Sequence, residues 1–170
     1  MDEKELSKAK DTALKFLSYG MKTEKQVADK LKEKDFAEEV IRDTLAYLKD
    51  LRYIDDMNYA QSYIKYAEAK RHGARRIKDE MIKRGIDKFT VEDAFYEYEQ
   101  TRTADGFEVM SEAERAEEEA MRIAEGKTVD DKLIAKVGRR LKTLGFESEA
   151  IYQAVGKVMK MKKNGEYYFE

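Results

Sequence analysis

Val27-Ala28-Asp29-Lys30-Leu31-Lys32-Glu33-Lys34-Asp35-Phe36 recurs 50 residues later as Ile77-Lys78-Asp79-Glu80-Met81-Ile82-Lys83-Arg84-Gly85-Ile86. It recurs again after a further 60 as Val137-Gly138-Arg139-Arg140-Leu141-Lys142-Thr143-Leu144-Gly145-Phe146. Each copy sets two apolar residues four apart, which places them on one face of a helix. Asp35, Gly85 and Gly145 follow where that helix must stop. A left-handed backbone suits such a stop; glycine adopts it cheaply and aspartate tolerates it. Working outward, Ile41, Leu45 and Leu48 correspond to Val91, Phe95 and Tyr98, and to Ile151, Val155 and Val158. The row Phe36, Ile86, Phe146 is the firmest, and the row Leu48, Tyr98, Val158 the weakest. Periods of this length mark stacked copies of one supersecondary unit that cannot bury its apolar face alone. Such stacking suits a large partner better than it suits an enclosed catalytic pocket.

The reading is all-α, with tandem three-helix, helix-turn-helix-like repeats in an elongated, curved array. The first repeat, with an N-terminal extension, takes residues 1–54. Ala13, Leu14 and Leu17 stripe its first helix. Thr23 with Gln26 forms a capping box before the second helix, and Val40, Ile41, Leu45 and Leu48 mark the third. The second repeat takes 55–99, opened by Asp55 or Asp56 as helix cap. Gln100 to Met110 loses helical periodicity and is expected to be a linker and hinge. Ser111 with Glu114 forms another capping box before the third repeat, 111–163, which carries extra residues around Gly126 to Asp130. Residues 164–170 read as a frayed tail.

Composition narrows the function classes. The chain has 170 residues and no proline, where average usage would give roughly eight. With abundant helix formers, that supports an almost wholly helical chain. Charged residues make up 41%, against about 25% in ordinary domains, as expected of a thin array with much surface. There is no cysteine, which excludes disulfides, thiolate nucleophiles and thiolate metal sites. The first ten residues carry no apolar segment of the kind a secretory signal needs. No run approaches the ~20 apolar residues of a membrane helix. The expectation is a soluble, cytoplasmic monomer with no membrane partner.

The net charge of −2 conceals sorting along the chain. Lys70 to Arg84 carries Lys70, Arg71, Arg75, Arg76, Lys78, Lys83 and Arg84 against Asp79 and Glu80, a net of +5. Glu92 to Glu125 carries a net of −9, and Lys157, Lys160, Lys162 and Lys163 make a basic end. With Ile77 and Met81 turned inward, Arg75 and Lys78 are expected to point outward, with Arg76 and Lys83 on one flank. Arg139, Arg140 and Lys142 hold comparable positions in the third repeat. Unneutralised cations of this kind fit phosphates or an acidic protein groove; the blander alternative is a solvated face with pairs such as Arg75 and Asp79.

Tyr59, Tyr63 and Tyr66 lie along one side of a helix. Inner-face packing with hydroxyls at the rim is the preferred reading over stacking on bases. His72 is the sole histidine, too few for a zinc site; its two readings are a hydrogen bond at the turn before the basic helix and simple exposure. Carboxylates on solvated helices make no paired acid/base site, and no glycine-rich phosphate loop is present. The expectation is a protein that is not an enzyme and needs no cofactor or metal.

Tyr53-Ile54-Asp55-Asp56-Met57-Asn58-Tyr59-Ala60-Gln61-Ser62-Tyr63-Ile64 resembles the RecX family of bacterial recombination regulators. So does the run Arg71-x-Gly73-x-Arg75-Arg76-Ile77-x-x-Glu80-Met81-x-x-Arg84-Gly85-Ile86 that follows it. The match is good from Leu14 to Tyr98 and looser beyond. The long acidic insertion after Gln100, and Met81 where leucine is usual, are departures. The resemblance implies tandem three-helix repeats and a non-enzymatic modulator of the RecA recombinase. Such a protein lies in the groove of the RecA–DNA filament, bridges protomers, and inhibits filament growth, strand exchange and ATP hydrolysis. Arg71, Arg75, Arg76 and Arg84 carry over as partner-binding candidates. Lys78, Lys83, Arg139, Arg140 and Lys142 join them on charge alone. The alternatives are direct binding of single- or double-stranded DNA and a helical adaptor for another protein.

Overall fold

The computed structural model describes residues 3–104 and 110–164. Among the described residues there are nine α-helices and no strand. They fall into three triplets: α1 (Glu3–Leu17), α2 (Glu24–Glu33) and α3 (Glu38–Asp50); α4 (Asp56–Ala69), α5 (Ala74–Lys83) and α6 (Lys88–Ala104); α7 (Glu112–Ala124), α8 (Asp131–Leu144) and α9 (Ser148–Asn164). The all-α, repeated three-helix reading therefore holds. The linker does not hold as drawn. α6 continues through Ala104, so the first residues of the 100–110 segment are helical; residues 105–109, and 165–170 of the tail, lie outside the described residues.

The repeat is exact in its backbone chemistry. Asp35, Gly85 and Gly145 all have positive φ, at 59°, 89° and 83°. At each stop the next residue donates back across the turn: Phe36 N–H to the Leu31 carbonyl, Ile86 to Met81, and Phe146 to Leu141, at 3.3, 3.2 and 3.2 Å. This is the six-to-one bond of a Schellman cap, which satisfies carbonyls that the helix end would orphan. The second apolar residue of each helix thus also accepts the capping bond. Val27, Ile77 and Val137 are all fully buried, as are Leu31, Met81 and Leu141.

The chain divides into two compact units, Met1–Tyr63 with Glu80–Tyr98, and Ile64–Asp79 with Glu99–Glu170. The border between them passes through α4, α5 and α6. In the first unit Ala9 and Ala13 of α1 pack with Val27, Leu31, Val40, Ile41 and Leu48, and Phe36 and Leu45 close the edge. Alanines on α1 let the helices approach closely, and Ala9 extends the stripe one turn beyond the Ala13, Leu14 and Leu17 read from sequence. In the second unit Ala116, Ala120 and Ile123 of α7 pack with Val137, Leu141, Phe146, Ala154 and Val158. Each fully buried Val, Leu or Phe contributes about 1.5–3 kcal/mol relative to exposure.

The capping boxes form as expected. The Thr23 hydroxyl accepts from Gln26 N–H and the Gln26 side chain accepts from Thr23 N–H; Ser111 and Glu114 do the same. Of the two candidate caps for α4, Asp55 accepts from Asn58 N–H at 2.9 Å. Asp56 has a different task, described below.

Candidate partner-binding surface

Within each compact unit one repeat meets the next through the ends of its second helix. In the first unit the Thr23 hydroxyl donates to the Arg84 carbonyl at 2.7 Å, joining the start of α2 to the end of α5. Asp56, at the start of α4, accepts from Glu24 N–H at 2.8 Å and caps α2 from outside. Burial pushes the Asp56 carboxyl above its ordinary range. In the second unit Gly73 N–H donates to the Leu144 carbonyl at 2.9 Å, and Arg75 N–H to the Gly145 carbonyl at 3.1 Å, joining the start of α5 to the end of α8. Glu112, at the start of α7, accepts from Ala74 N–H at 2.7 Å. Thr23 and Gly73 are repeat equivalents, as are Arg84 and Leu144, so the same joint is built twice. In each, the positive end of one helix dipole meets the negative end of another. The second joint is closer: a Cβ on Gly73 would lie 2.3 Å from the Phe146 Cα, so a backbone N–H replaces the threonine hydroxyl as donor.

These joints employ several of the cations singled out from sequence. Arg84 is half-buried; its guanidinium lies 4.3 Å from the centre of the Tyr63 ring and donates to the Glu80 carbonyl at 3.1 Å. Arg75 is exposed but donates to the Lys142 carbonyl at 2.9 Å. Arg76 and Lys78 are half-buried, against the expectation that Lys78 points fully outward, and Arg76 packs on Gly145. Arg71 lies 3.8 Å from Glu119. Lys83, Arg139, Arg140 and Lys142 are exposed. In the second unit the structure brings Arg75 and Lys142 together at one end of α8. The pairing of Arg75 is thus with a carbonyl 67 residues away rather than the local Asp79.

Tyr59 and Tyr63, both half-buried, follow the packing reading, and Tyr66 departs from it. Tyr59 and Tyr63 stack at 6.2 Å, and the Tyr63 hydroxyl donates to Glu80 at 2.6 Å. Burial, then the carboxylate beside it, pushes the Tyr63 hydroxyl up to about 12. Tyr66 is exposed. His72 sits in the turn before α5, where its carbonyl accepts from Arg115 at 2.9 Å. No group of three or more His, Asp or Glu suited to a metal ion occurs among the described residues.

One cluster was invisible in the sequence. In the second unit Arg102, only 8% exposed, donates to Glu68 at 3.1 Å, Glu99 at 3.0 Å and the Met110 carbonyl at 2.7 Å. Arg115 shares Glu68 at 3.1 Å. Glu119, 3% exposed, is held by a two-pronged pair with Arg122 at 2.6 and 2.9 Å. Those hydrogen bonds hold its carboxyl below the usual range. The acidic insertion is therefore partly an ionic joint, and Arg102 and Met110, on either side of residues 105–109, are hydrogen-bonded to each other.

Comparison with known proteins matches residues 9–48 to the model of the RecX first three-helix domain, and residues 55–94 to that of the second. The regulatory protein RecX of Caldanaerobacter subterraneus subsp. tengcongensis is 34% identical over 151 residues, covering 89% of this chain and 71% of that one. The regulatory protein RecX of Finegoldia magna is 42% identical over 84 residues, 49% of this chain and 41% of that one. The crystal structure of RecX from Lactobacillus salivarius superposes with a TM-score of 0.78 at 29% identity, covering 92% of this chain and 98% of that one.

Proposed function

The chain belongs to the RecX family of regulatory proteins, and we propose that it is a non-enzymatic modulator of the RecA recombinase. In this reading it binds the RecA–DNA filament and restrains filament extension, strand exchange and ATP hydrolysis in DNA repair and recombination. Family membership carries the reading, and the exposed cations Lys83, Arg139, Arg140 and Lys142 support it. A protein contacting several protomers gains effective concentration with each further contact. If it fits one filament geometry better than another, it shifts the population toward that geometry.

The test uses purified RecA on single-stranded DNA. With excess protein the ATPase rate should fall and filaments should shorten; no change in either rejects the proposal. Arg139→Glu with Lys142→Glu alters two exposed side chains, so helicity should hold while filament affinity drops about tenfold, roughly 1.4 kcal/mol.

Direct DNA binding is the second reading, favoured by the net +5 between Lys70 and Arg84. It requires affinity for bare DNA that falls steeply with salt as counterions are released. The internal engagement of Arg71, Arg75 and Arg84 weighs against it.

A further inference from the structure

A groove of about 680 Å³ opens along α8 and α9 in the second unit. Gly138 on α8 and Tyr152, Gly156 and Met159 on α9 line it, and the charged residues of its lining are Arg75 and Lys142, with no acid among them. Tyr152 is 77% exposed and Met159 45%. Aromatic and methionine side chains left open to water in this way are typical of surfaces that receive a partner. The two glycines are the unusual feature. Glycine inside a helix is unfavourable, and here nothing among the described residues requires it. A Cβ on Gly156 would meet nothing within 4 Å, and one on Gly138 would meet only Val155, at an ordinary 3.8 Å. Their effect is to lower the walls of the groove so that another backbone can come close.

We infer that this groove receives the apolar face of an acidic amphipathic helix presented by the protein component of the filament, with carboxylates directed to Arg75 and Lys142. The inference rests on the filament-binding reading. Helix-in-groove recognition requires an apolar trough with charge to fix the register, and the purely cationic charge of the lining selects an acidic occupant. A nucleic acid strand is the poorer fit. It needs a run of cations along its backbone, whereas this lining is mainly apolar and carries only Arg75 and Lys142.

The chain has no cysteine, so Tyr152→Cys creates a unique thiol for a benzophenone photo-crosslinker. On RecA assembled with single-stranded DNA, the adduct should capture the RecA polypeptide. Gly156→Leu, which fills open space, should weaken filament binding at least tenfold while thermal stability stays level or rises. Capture of the DNA strand instead, no capture, or unchanged affinity in Gly156→Leu overturns the inference while leaving wild-type filament binding intact. A wild-type protein that does not bind the filament sinks the proposed function, and this inference with it.

Discussion

The Cβ that Gly145 lacks would lie 2.2 Å from the Cβ of Arg76 and 2.7 Å from its backbone nitrogen. Gly145 thus meets two demands at once: a left-handed turn ending α8, and room for the start of α5 to rest on that turn. Gly85 stands in the same relation to Lys25, whose Cβ lies 2.4 Å from the missing atom. Asp35, the third equivalent, is exposed and meets only the first demand.

Substitutions at the three turns should therefore rank by what abuts them. Gly145→Ala meets backbone as well as side chain, beyond the roughly 1–2 kcal/mol that a left-handed residue costs. Gly85→Ala meets only side-chain atoms of Lys25, with no backbone atom among the nearest, and should cost less. Asp35→Gly should be neutral or stabilise by up to about 1 kcal/mol. Urea unfolding of the three variants checks the order, and equal costs for Gly145→Ala and Gly85→Ala would contradict it.

The buried guanidinium of Arg102 makes a second case. Removing one partner of a buried pair costs about 3–5 kcal/mol, because the other charge is stranded. Glu68→Ala leaves both Arg102 and Arg115 without this shared carboxylate, and should fall in that range. Arg102→Met leaves Glu68 with Arg115 and should cost less. Thermal unfolding of both variants and their double mutant would show strong non-additivity, since all three residues share one network.

Glu119 makes stability depend on pH. Its folded carboxyl is held below the ordinary value by Arg122 and then by Arg71. A depressed carboxyl stabilises the fold above the unfolded-state pKa of about 4.3, and that stability is lost as pH falls through the folded value. Glu119→Gln should cost about 1–2 kcal/mol at neutral pH, less than a fully buried pair because Arg122 is 46% exposed. It should also flatten the loss of stability in acid; a variant with the wild-type acid slope would show that Glu119 does not carry it.

Thr44 is fully buried, and its hydroxyl has no hydrogen-bond partner among the described residues. Its repeat equivalents are Ala94 and Ala154, both fully buried and apolar. Thr44→Val keeps the shape and removes the orphaned group, so it should stabilise by about 1 kcal/mol. A fall in melting temperature would mean the hydroxyl is satisfied in solution.

The helix triplets, their turn residues and their caps were legible because each depends on neighbours within about one helical turn. The spacing of Val27 and Leu31, the left-handed stop at Asp35 and the Thr23–Gln26 box are all local. Met81 and Gly85 were equally readable from their own segment. Asp56 was ambiguous as a cap because its partner, Glu24 N–H, is 32 residues away. In the basic stretch the expected outward Lys78 is half-buried. Periodicity gives the angle of a side chain about its own helix, but it does not report what another element brings to that flank. Arg76 and Arg84 look free in the sequence and are engaged in the structure.

The sequence by itself determined the family, the all-helical repeat and the left-handed turns at Asp35, Gly85 and Gly145, since backbone preference and apolar period act over a few residues. Tertiary structure alone decided which charges remain on the surface and which hold repeat to repeat. It brought Glu68 to Arg102 across 34 residues and Arg75 to Lys142, because pairing at such separations depends on where packed helices place their ends. No local pattern in the chain encodes that placement.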